Sequence, residues 1–248
     1  MVIVEVCAGS VADCVAASKG GADRVELNSC LAVGGLTSSI AVLETVKKLT
    51  GIQVICMVRP RPAGFSYSDT DAEVMLKDAE TLLKHGADGI AFGFLNSDST
   101  INRHNTIQMT SLIHSYQKAA VFHRAFDICP DPYEGLSTLI DLGVDRVLTS
   151  GQRAKAEEGT ELLQQLQYRY GNQIELLAGS GINSLNAGRI VCGSGVRQIH
   201  SSCKSYCTDP TTSGNRVSFS CFGSPHEMDY DGVSESKVRE LVASVATL

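Results

Sequence analysis

The sequence of 248 residues has no tryptophan, only six prolines and an aromatic content of 6%. No apolar run approaches the roughly 20 residues of a membrane-spanning helix, and the first residues lack the basic stretch of a signal peptide. The net charge is −6 and no basic block is present, which argues against nucleic acid and anionic membranes as partners. No Pro-, Gly- or Ser-rich linker divides the chain, so we expect one domain over residues 1–248.

The nine cysteines include no Cys-x-x-Cys pair, so a local metal-binding or redox signature is missing. Their number is odd, and no signal peptide directs the chain to an oxidising compartment. These features are typical of reduced thiols in a cytoplasmic protein. The sequence therefore predicts a cytoplasmic location.

A short sequence motif occurs four times along the chain. Gly21–Leu27 returns as Gly86–Phe92, as Gly143–Thr149 and more loosely as Gly195–Ser201. Each copy has a glycine that ends a helical stretch, then a polar turn, then an apolar strand. The copies are too far apart for one supersecondary unit and fit two βα units each. The repeat therefore predicts four even-numbered strands, with four odd-numbered strands between them.

Four further apolar runs supply the odd-numbered strands, and helical patterns follow every strand. Eight βα units in a chain of this length predict a (β/α)₈ TIM barrel, which typically has roughly 250 residues. A doubly wound open sheet is the competing fold, but it does not account for a repeat of quarter-barrels. The odd strands are predicted at Val2–Cys7, Gln53–Val58, Ala119–Arg124 and Ile174–Ala178, and the helices at residues 10–20, 42–49, 71–85, 105–116, 131–142, 158–170, 184–191 and 234–247.

Polar side chains gather at the carboxyl ends of the predicted strands, where TIM barrels carry their active sites. Side chains alternate along a strand, so Glu5 and Cys7 share a face, as do Arg59 and Arg61. Charges buried there are costly unless they are paired. One interpretation is a mutually satisfied layer of ion pairs that plugs the barrel. The other is an active site, which better explains charged residues on five strand ends.

A candidate anion site lies after strands seven and eight. Gly179 and Gly181 precede a helix start whose backbone N–H groups could bind phosphate, although a simple left-handed turn explains the same glycines. Arg59 or Arg61 could add a bidentate contact. The full set of candidate anion- or substrate-binding residues is Glu5, Arg59, Arg61, Arg124, Ser150, Gly179, Gly181, His200 and Ser202.

Candidate catalytic residues are Glu26, His123 and Asp127. Either Glu26 or His123 could act as general acid or base, and Asp127 could orient His123. Arg24 and Arg146 each follow an aspartate at a strand start. That position indicates a stabilising role, with Asp–Arg pairs at the opposite end of the barrel.

Three cysteines, Cys7, Cys30 and Cys203, lie at or just past strand ends. Thiolates are soft ligands that suit Cu(I), and two or three suffice for linear or trigonal binding. Taken singly, each cysteine is equally compatible with a buried or incidental thiol. The stretch 204–230, rich in Ser, Thr, Gly and Pro, is predicted to be a long loop over the barrel mouth.

The chain contains, in order, Gly21–Leu27 with Gly34–Thr37, Val58–Arg61, Tyr67–Asp69, Phe122–Asp127, Gly143–Gly151, Ala178–Gly181 and Ile199–Ser202. Together these motifs resemble the CutC copper-homeostasis family. The resemblance implies a TIM barrel, a cytoplasmic homo-oligomer and a part in copper tolerance with copper(I) as the bound ion. It also implies copper binding by Cys7 and by a cysteine directly after Glu-Leu in strand two. Asn28 occupies that second position, and Cys30 lies two residues further on.

Two functions follow as hypotheses. The first is a copper-homeostasis protein that binds Cu(I) through Cys7 and Cys30, with Cys203 as a further ligand. The second is a TIM-barrel enzyme that acts on a small anionic or phosphorylated metabolite at the same mouth.

Overall fold

The computed structural model describes all 248 residues and contains eight parallel strands that close into a barrel in chain order. The TIM-barrel prediction is confirmed. Every even-numbered strand begins at the fourth residue of a repeat copy, as the repeated motif predicts. The strands are β1 (Ile3–Ala8), β2 (Arg24–Leu27), β3 (Gln53–Met57), β4 (Gly89–Phe92), β5 (Ala119–Phe122), β6 (Arg146–Thr149), β7 (Glu175–Gly179) and β8 (Gln198–Ser201).

Eight helices surround the barrel, and six of them begin at a Ser, Asn or Asp side chain that accepts a backbone N–H. The other two, α6 and α7, have no such side-chain cap and start two or three residues later than predicted. None of the helices combines the length and apolar character needed to cross a membrane. They are α1 (Val11–Gly20), α2 (Ile40–Leu49), α3 (Asp69–Lys84), α4 (Arg103–Ser115), α5 (Pro132–Asp141), α6 (Thr160–Tyr170), α7 (Ala187–Ser194) and α8 (Glu235–Val245).

The aspartate of the repeat has a specific structural role. In three copies its N–H donates to a carbonyl of the preceding odd-numbered strand, and its carboxylate accepts the N–H of that same residue. We call this reciprocal pair the aspartate clamp. The fourth copy has Arg197 at this position, and its guanidinium cannot accept a hydrogen bond from a backbone N–H. The clamps join Asp23 to Val4, Asp88 to Val54 and Asp145 to Ala120, with N–H to carboxylate distances of 2.8, 2.9 and 2.7 Å.

The arginines that follow two of these aspartates do not pair with them. Arg24 donates to Glu5 and to Gln198, and Arg146 pairs with Glu175 at 2.6 Å. The predicted Asp–Arg pairs are wrong because the aspartates are engaged in the clamps. The arginine is the next residue along the strand, so its side chain points to the other face, into the barrel.

The barrel interior is divided between an apolar and a charged half. Ile55, Met57, Ala91 and Val121, on β3 to β5, form a small apolar cluster. A separate cluster of 54 buried residues fills the space between the barrel and its helices. The remaining interior, from β6 through β8 to β2, holds Leu148 and Leu177 together with the charged side chains of Glu5, Arg24, Glu26, Arg146 and His200. Because of this asymmetry, the charged side chains lie on one side of the barrel mouth.

The stretch after β8 differs from the predicted loop. Its two ends form an antiparallel hairpin of β9 (Lys204–Thr208) and β10 (Asp229–Val233), which leads into α8. Lys204 and Asp231 on this hairpin pair at 3.2 Å and line the barrel mouth. The hairpin therefore forms part of the mouth wall.

Candidate functional site

A cavity of about 410 Å³ opens at the carboxyl ends of the strands. A larger groove of about 570 Å³ lies between the loops before α4 and α5, but the buried charged groups converge at the mouth, so we place the candidate site there. Seven residues expected from the sequence line the mouth cavity: Cys7, Glu26, Arg59, His123, Arg124, His200 and Ser202.

Glu5 lies beneath the cavity and is 1% exposed. Its Oε1 is 2.8 Å from Nδ1 of His200, and its other oxygen accepts from Arg24. Burial opposes ionisation of Glu5, but the hydrogen bond from His200 and the charge of Arg24 outweigh it and lower the pKa to about 2. Burial likewise opposes protonation of His200, yet the surrounding acceptors and carboxylates raise its pKa well above the usual range. The lowest polar layer is therefore a satisfied ion-pair network.

Cys7, Glu26 and His200 form the next layer. One donor atom from each residue lies within 4.8 Å of the others, which is a spacing that could hold a metal ion. Because Nδ1 of His200 is held by Glu5, the ring nitrogen left for a ligand is Nε2. A carboxylate that orients a histidine in this way is the usual second layer of a metal site. Burial raises the pKa of both the Cys7 thiol and the Glu26 carboxyl.

Asn28 occupies the position where the family resemblance implies a cysteine. Its amide nitrogen donates to Oε2 of Glu26 at 3.0 Å and to Sγ of Cys7 at 3.5 Å. Asn28 therefore orients two members of the cluster but supplies no thiolate. A Cβ atom at Gly35 would lie 2.2 Å from Oδ1 of Asn28, so glycine at that position leaves room for the amide.

The predicted cysteine set does not come together. Cys30 is exposed and Cys203 is buried in the core outside the barrel, and the two form no donor group with Cys7. Both residues have left-handed backbone, with φ of 49° and 41°. The chain has already left the strand at each position, which turns the thiol away from the cluster. Glu26 and His200, assigned other roles from the sequence, take their places beside Cys7.

His123 is 3% exposed and faces the cavity. Its Nδ1 accepts the N–H of Ala125 at 3.1 Å, which leaves the proton on Nε2. Burial, and then the charge of Arg59, lowers its pKa to about 3. His123 is thus a neutral hydrogen-bond donor. Asp127 does not orient it, contrary to the sequence-based prediction.

Asp127 instead belongs to a neighbouring network. It accepts from Nε of Arg124 at 2.7 Å and from the hydroxyl groups of Thr149 and Ser150. The residue lies in a short 3₁₀ turn, Arg124–Ile128, that follows β5 and carries its side chain toward β6. The network neutralises Arg124 at the cavity edge. Ser150 is buried in it and does not line the cavity.

The side chains of Arg59 and Arg61 point in different directions, because β3 has already ended. Arg59 is buried at the cavity, where its guanidinium donates to the carbonyl groups of Val33, Gly35 and Ala63. Arg61 points outward, donates to carbonyl groups of its own loop and stacks over Tyr67. Arg61 therefore does not contribute to the cavity.

The glycines after β7 also have separate roles. A Cβ atom on Gly179 would lie 2.6 Å from Leu148 and 3.3 Å from His200, so this glycine gives space to the site. Gly181 has φ of 72° and lines a different pocket, of about 350 Å³, beside Ser202.

Several residues of the site were not predicted from the sequence. Met57, Phe65, Leu148 and the Lys204–Asp231 pair line the cavity. Gly93 abuts His123, because a Cβ there would lie 2.4 Å from Cε1 of the ring. A glycine between two phenylalanines at a strand end was the available signal for this close approach.

Comparison with known proteins places these features in a family. The family model described as "CutC family" matches residues 2–205. The "family protein CutC" of Treponema denticola is 46% identical over 212 residues, which cover 86% of this chain and 85% of the relative. The human copper homeostasis protein cutC homolog is 41% identical over 203 residues, 82% of this chain and 74% of the relative. The crystal structure of CutC from Streptococcus agalactiae superposes with a TM-score of 0.77 at 30% identity, covering 82% of this chain and 99% of that one.

Proposed function

The chain belongs to the CutC family, a family of copper homeostasis, and from that premise we propose that it binds Cu(I) at the barrel mouth through Cys7 and His200. The observation that carries the proposal is the convergence of their donor atoms, with that of Glu26, within 4.8 Å. A thiolate and an imidazole are ligands that Cu(I) accepts readily. The nearby carboxylate is a harder ligand and suits Cu(I) less.

The surroundings orient the two ligands, and binding requires each of them to release a proton because both pKa values are raised. Glu5 holds the ring of His200 through Nδ1, and Asn28 donates to Cys7. Neither ligand needs to move far, which lowers the entropic cost of binding. All nine cysteines are free, in accord with a reducing compartment, so we place this copper handling in the cytoplasm. Assembly into homo-oligomers remains a prediction from the family resemblance.

Titration of the reduced protein with Cu(I) against a competing chelator tests the proposal. We expect Cys7→Ser to lower the affinity by at least about 10-fold, or about 1.4 kcal/mol, because a soft ligand is replaced by a hard one. Cys30→Ser and Cys203→Ser are matched controls that should bind as the wild type does. Unchanged binding by Cys7→Ser would refute the site. A loss in Cys30→Ser would instead support the set of three cysteines.

A second function, catalysis on a small anionic metabolite, is favoured by the unpaired groups of the same cavity. Glu26 takes part in no ion pair with a basic side chain within 4 Å, and burial raises its pKa toward the range of a general acid or base. Arg59 is a buried cation without a carboxylate partner. These two groups distinguish the upper cavity from the satisfied network around Glu5.

Turnover can be tested without knowing the substrate. The protein is incubated with a pool of small metabolites, and the composition is followed by mass spectrometry. Depletion of an acid by the wild type but not by Glu26→Gln would support the enzyme. No change with the wild type, or equal depletion by both proteins, would contradict it.

A further inference from the structure

One wall of the mouth cavity is not used by the proposed copper ligands. It consists of Arg59, Phe65 and His123, which follow β3 and β5, whereas Cys7 and His200 lie on β1 and β8. The ring centroids of Phe65 and His123 are 4.9 Å apart, and Cζ of Arg59 lies 5.2 Å from the Phe65 ring. The three side chains therefore form one continuous surface.

Arg59 brings an uncompensated charge to this wall. The residue is 5% exposed, no carboxylate lies within 4 Å of its guanidinium, and its Nε has no hydrogen-bond partner. Its three hydrogen bonds go to neutral carbonyl oxygens, at 3.0, 3.0 and 2.7 Å. A buried cation without a counter-ion is costly to a fold. An anion bound at the cavity would remove that cost.

His123 brings an unused donor. Its Nδ1 is occupied by the N–H of Ala125, so the proton lies on Nε2, and Nε2 is buried with no partner. A buried N–H without an acceptor destabilises the fold. Arg59 and His123 thus each have a buried nitrogen without a hydrogen-bond acceptor, and both lie at the same wall of the cavity. The one is charged and the other neutral, and both can donate to an oxyanion.

The charge of the remaining cavity fixes the charge of the ligand. Arg124 is paired with Asp127, Lys204 with Asp231, and His200 with Glu5. Arg59 is the one lining cation without a carboxylate. One unpaired cation at this wall matches a monoanion better than a phosphate dianion, and Glu26, the lining carboxylate without an ion pair, opposes a second negative charge on the ligand. The apolar lining residues Leu31, Val33, Met57, Phe65 and Leu148 match an organic body.

We propose that Arg59 and the Nε2–H of His123 bind the carboxylate of a small monocarboxylic acid, whose apolar part packs against Phe65. The inference deepens the second proposed function by naming its substrate class, and it rests on that function only in this respect. Binding needs no turnover and no metal. A protein that binds the acid without transforming it would refute the enzyme and leave this site intact.

Binding of butyrate to the reduced full-length protein, labelled with ¹⁵N-histidine, tests the proposal. We expect butyrate to shift the Nε2–H resonance of His123 in a saturable manner, whereas the uncharged isostere butyramide leaves it unmoved. Inorganic phosphate should shift it only at higher concentration. An unmoved resonance with butyrate, an equal response to butyramide, or tighter binding of phosphate would overturn the proposal.

Two matched arginine variants test which positive charge binds the carboxylate. Arg59→Gln should weaken butyrate binding at least about 10-fold, the loss expected for a charge-assisted hydrogen bond. Arg61→Gln, two residues along and outside the cavity, should bind as the wild type does. Equal losses in both variants would refute the assignment.

A second variant avoids the structural role of Arg59, whose hydrogen bonds hold two loops. His123→Phe keeps a ring against Phe65 but removes the Nε2–H donor. We expect its butyrate affinity, followed on the ligand resonances, to fall at least about 10-fold. Wild-type affinity in His123→Phe would contradict the proposed role of the donor.

Discussion

Glu5 and His200 are direct partners in the parallel register of β1 and β8, and Oε1 of Glu5 lies 2.8 Å from Nδ1 of His200. These strands are the first and the last of the barrel. Their hydrogen bond therefore exists only when the barrel is closed. His200, a proposed copper ligand, is oriented by the same contact, so closure of the fold and formation of the proposed copper site are one event. Ligand binding at this site should accordingly stabilise the closed barrel.

Two arginines at the same repeat position should differ in their contribution to stability. Arg24→Met leaves Glu5 buried without one of its cations, and we expect the free energy of unfolding to fall by about 3 kcal/mol. Arg146 pairs with Glu175, which is half exposed, and one Nη of Arg146 has no partner. Arg146→Met should therefore leave stability unchanged or raise it by about 1 kcal/mol. Urea denaturation measures both, and equal losses would contradict this account.

The aspartate clamp predicts a pH dependence of stability. Burial of Asp88 opposes ionisation, but the hydrogen bonds from Lys47 and from the N–H of Val54 outweigh it and lower its pKa below 3.8. Because the folded-state pKa is the lower one, its stabilisation is complete above the unfolded-state pKa and is lost as the pH falls through the folded value. Asp88→Asn should thus be less stable than the wild type at pH 7, by about 1–2 kcal/mol, with a smaller difference below pH 3.8.

The matched control for that comparison is Asp141→Asn, on an exposed position of α5. Its side chain makes no hydrogen bond or ion pair, so its stability at pH 7 should match that of the wild type. A difference between Asp88→Asn and wild type that stays constant into acid would show that the clamp does not depend on the charge of the carboxylate.

A thiol introduced at residue 28 should strengthen the proposed copper binding. In Asn28→Cys a second soft ligand stands beside Cys7, where the amide now donates to its sulfur. We expect the Cu(I) affinity to rise by about 10-fold or more, or about 1.4 kcal/mol. Asn28→Ser, which supplies an oxygen of similar size, should give no rise in the chelator competition. An equal gain in both variants would show that removal of the amide, not the thiolate, is responsible.

Gly93 is required for the position of His123. The Cβ of Gly93→Ala would lie 2.4 Å from Cε1 of the imidazole, so the ring or the strand end must shift. We expect a loss of about 1–3 kcal/mol in thermal or urea unfolding, together with a changed Nε2–H resonance of His123. Gly51→Ala is the control, because nothing lies within 4 Å of its added Cβ. A tolerated Gly93→Ala with an unchanged resonance would refute the steric argument.

Residues inside strands were placed correctly from the sequence, because alternation fixes their direction. Glu5 and Cys7 share the inner face of β1, as predicted, and Glu26 and His200 meet them from β2 and β8. The repeat predicted where β2 and β8 begin. Which of these polar groups pair with one another depends on barrel closure, which no local pattern describes.

Residues just past a strand end were placed less well, because alternation stops where the strand stops. β3 ends at Met57, so Arg59 and Arg61 need not share a face. Cys30 and Cys203 follow their strands in left-handed backbone, and Asp127 lies in a 3₁₀ turn. Each of these departures is a feature of loop conformation that apolar periodicity does not encode.

The missing clamp of the fourth repeat copy has a consequence for local opening. With Arg197 in place of aspartate, no carboxylate of the repeat fastens β7 as the clamps fasten β1, β3 and β5. Proteins open locally where fewer contacts hold the backbone, and amide hydrogens there exchange with solvent sooner. We expect exchange in the β7–β8 quarter to be the fastest of the four. The quarter that carries His200 is then also the one whose strands separate most readily at the end of the barrel opposite the mouth.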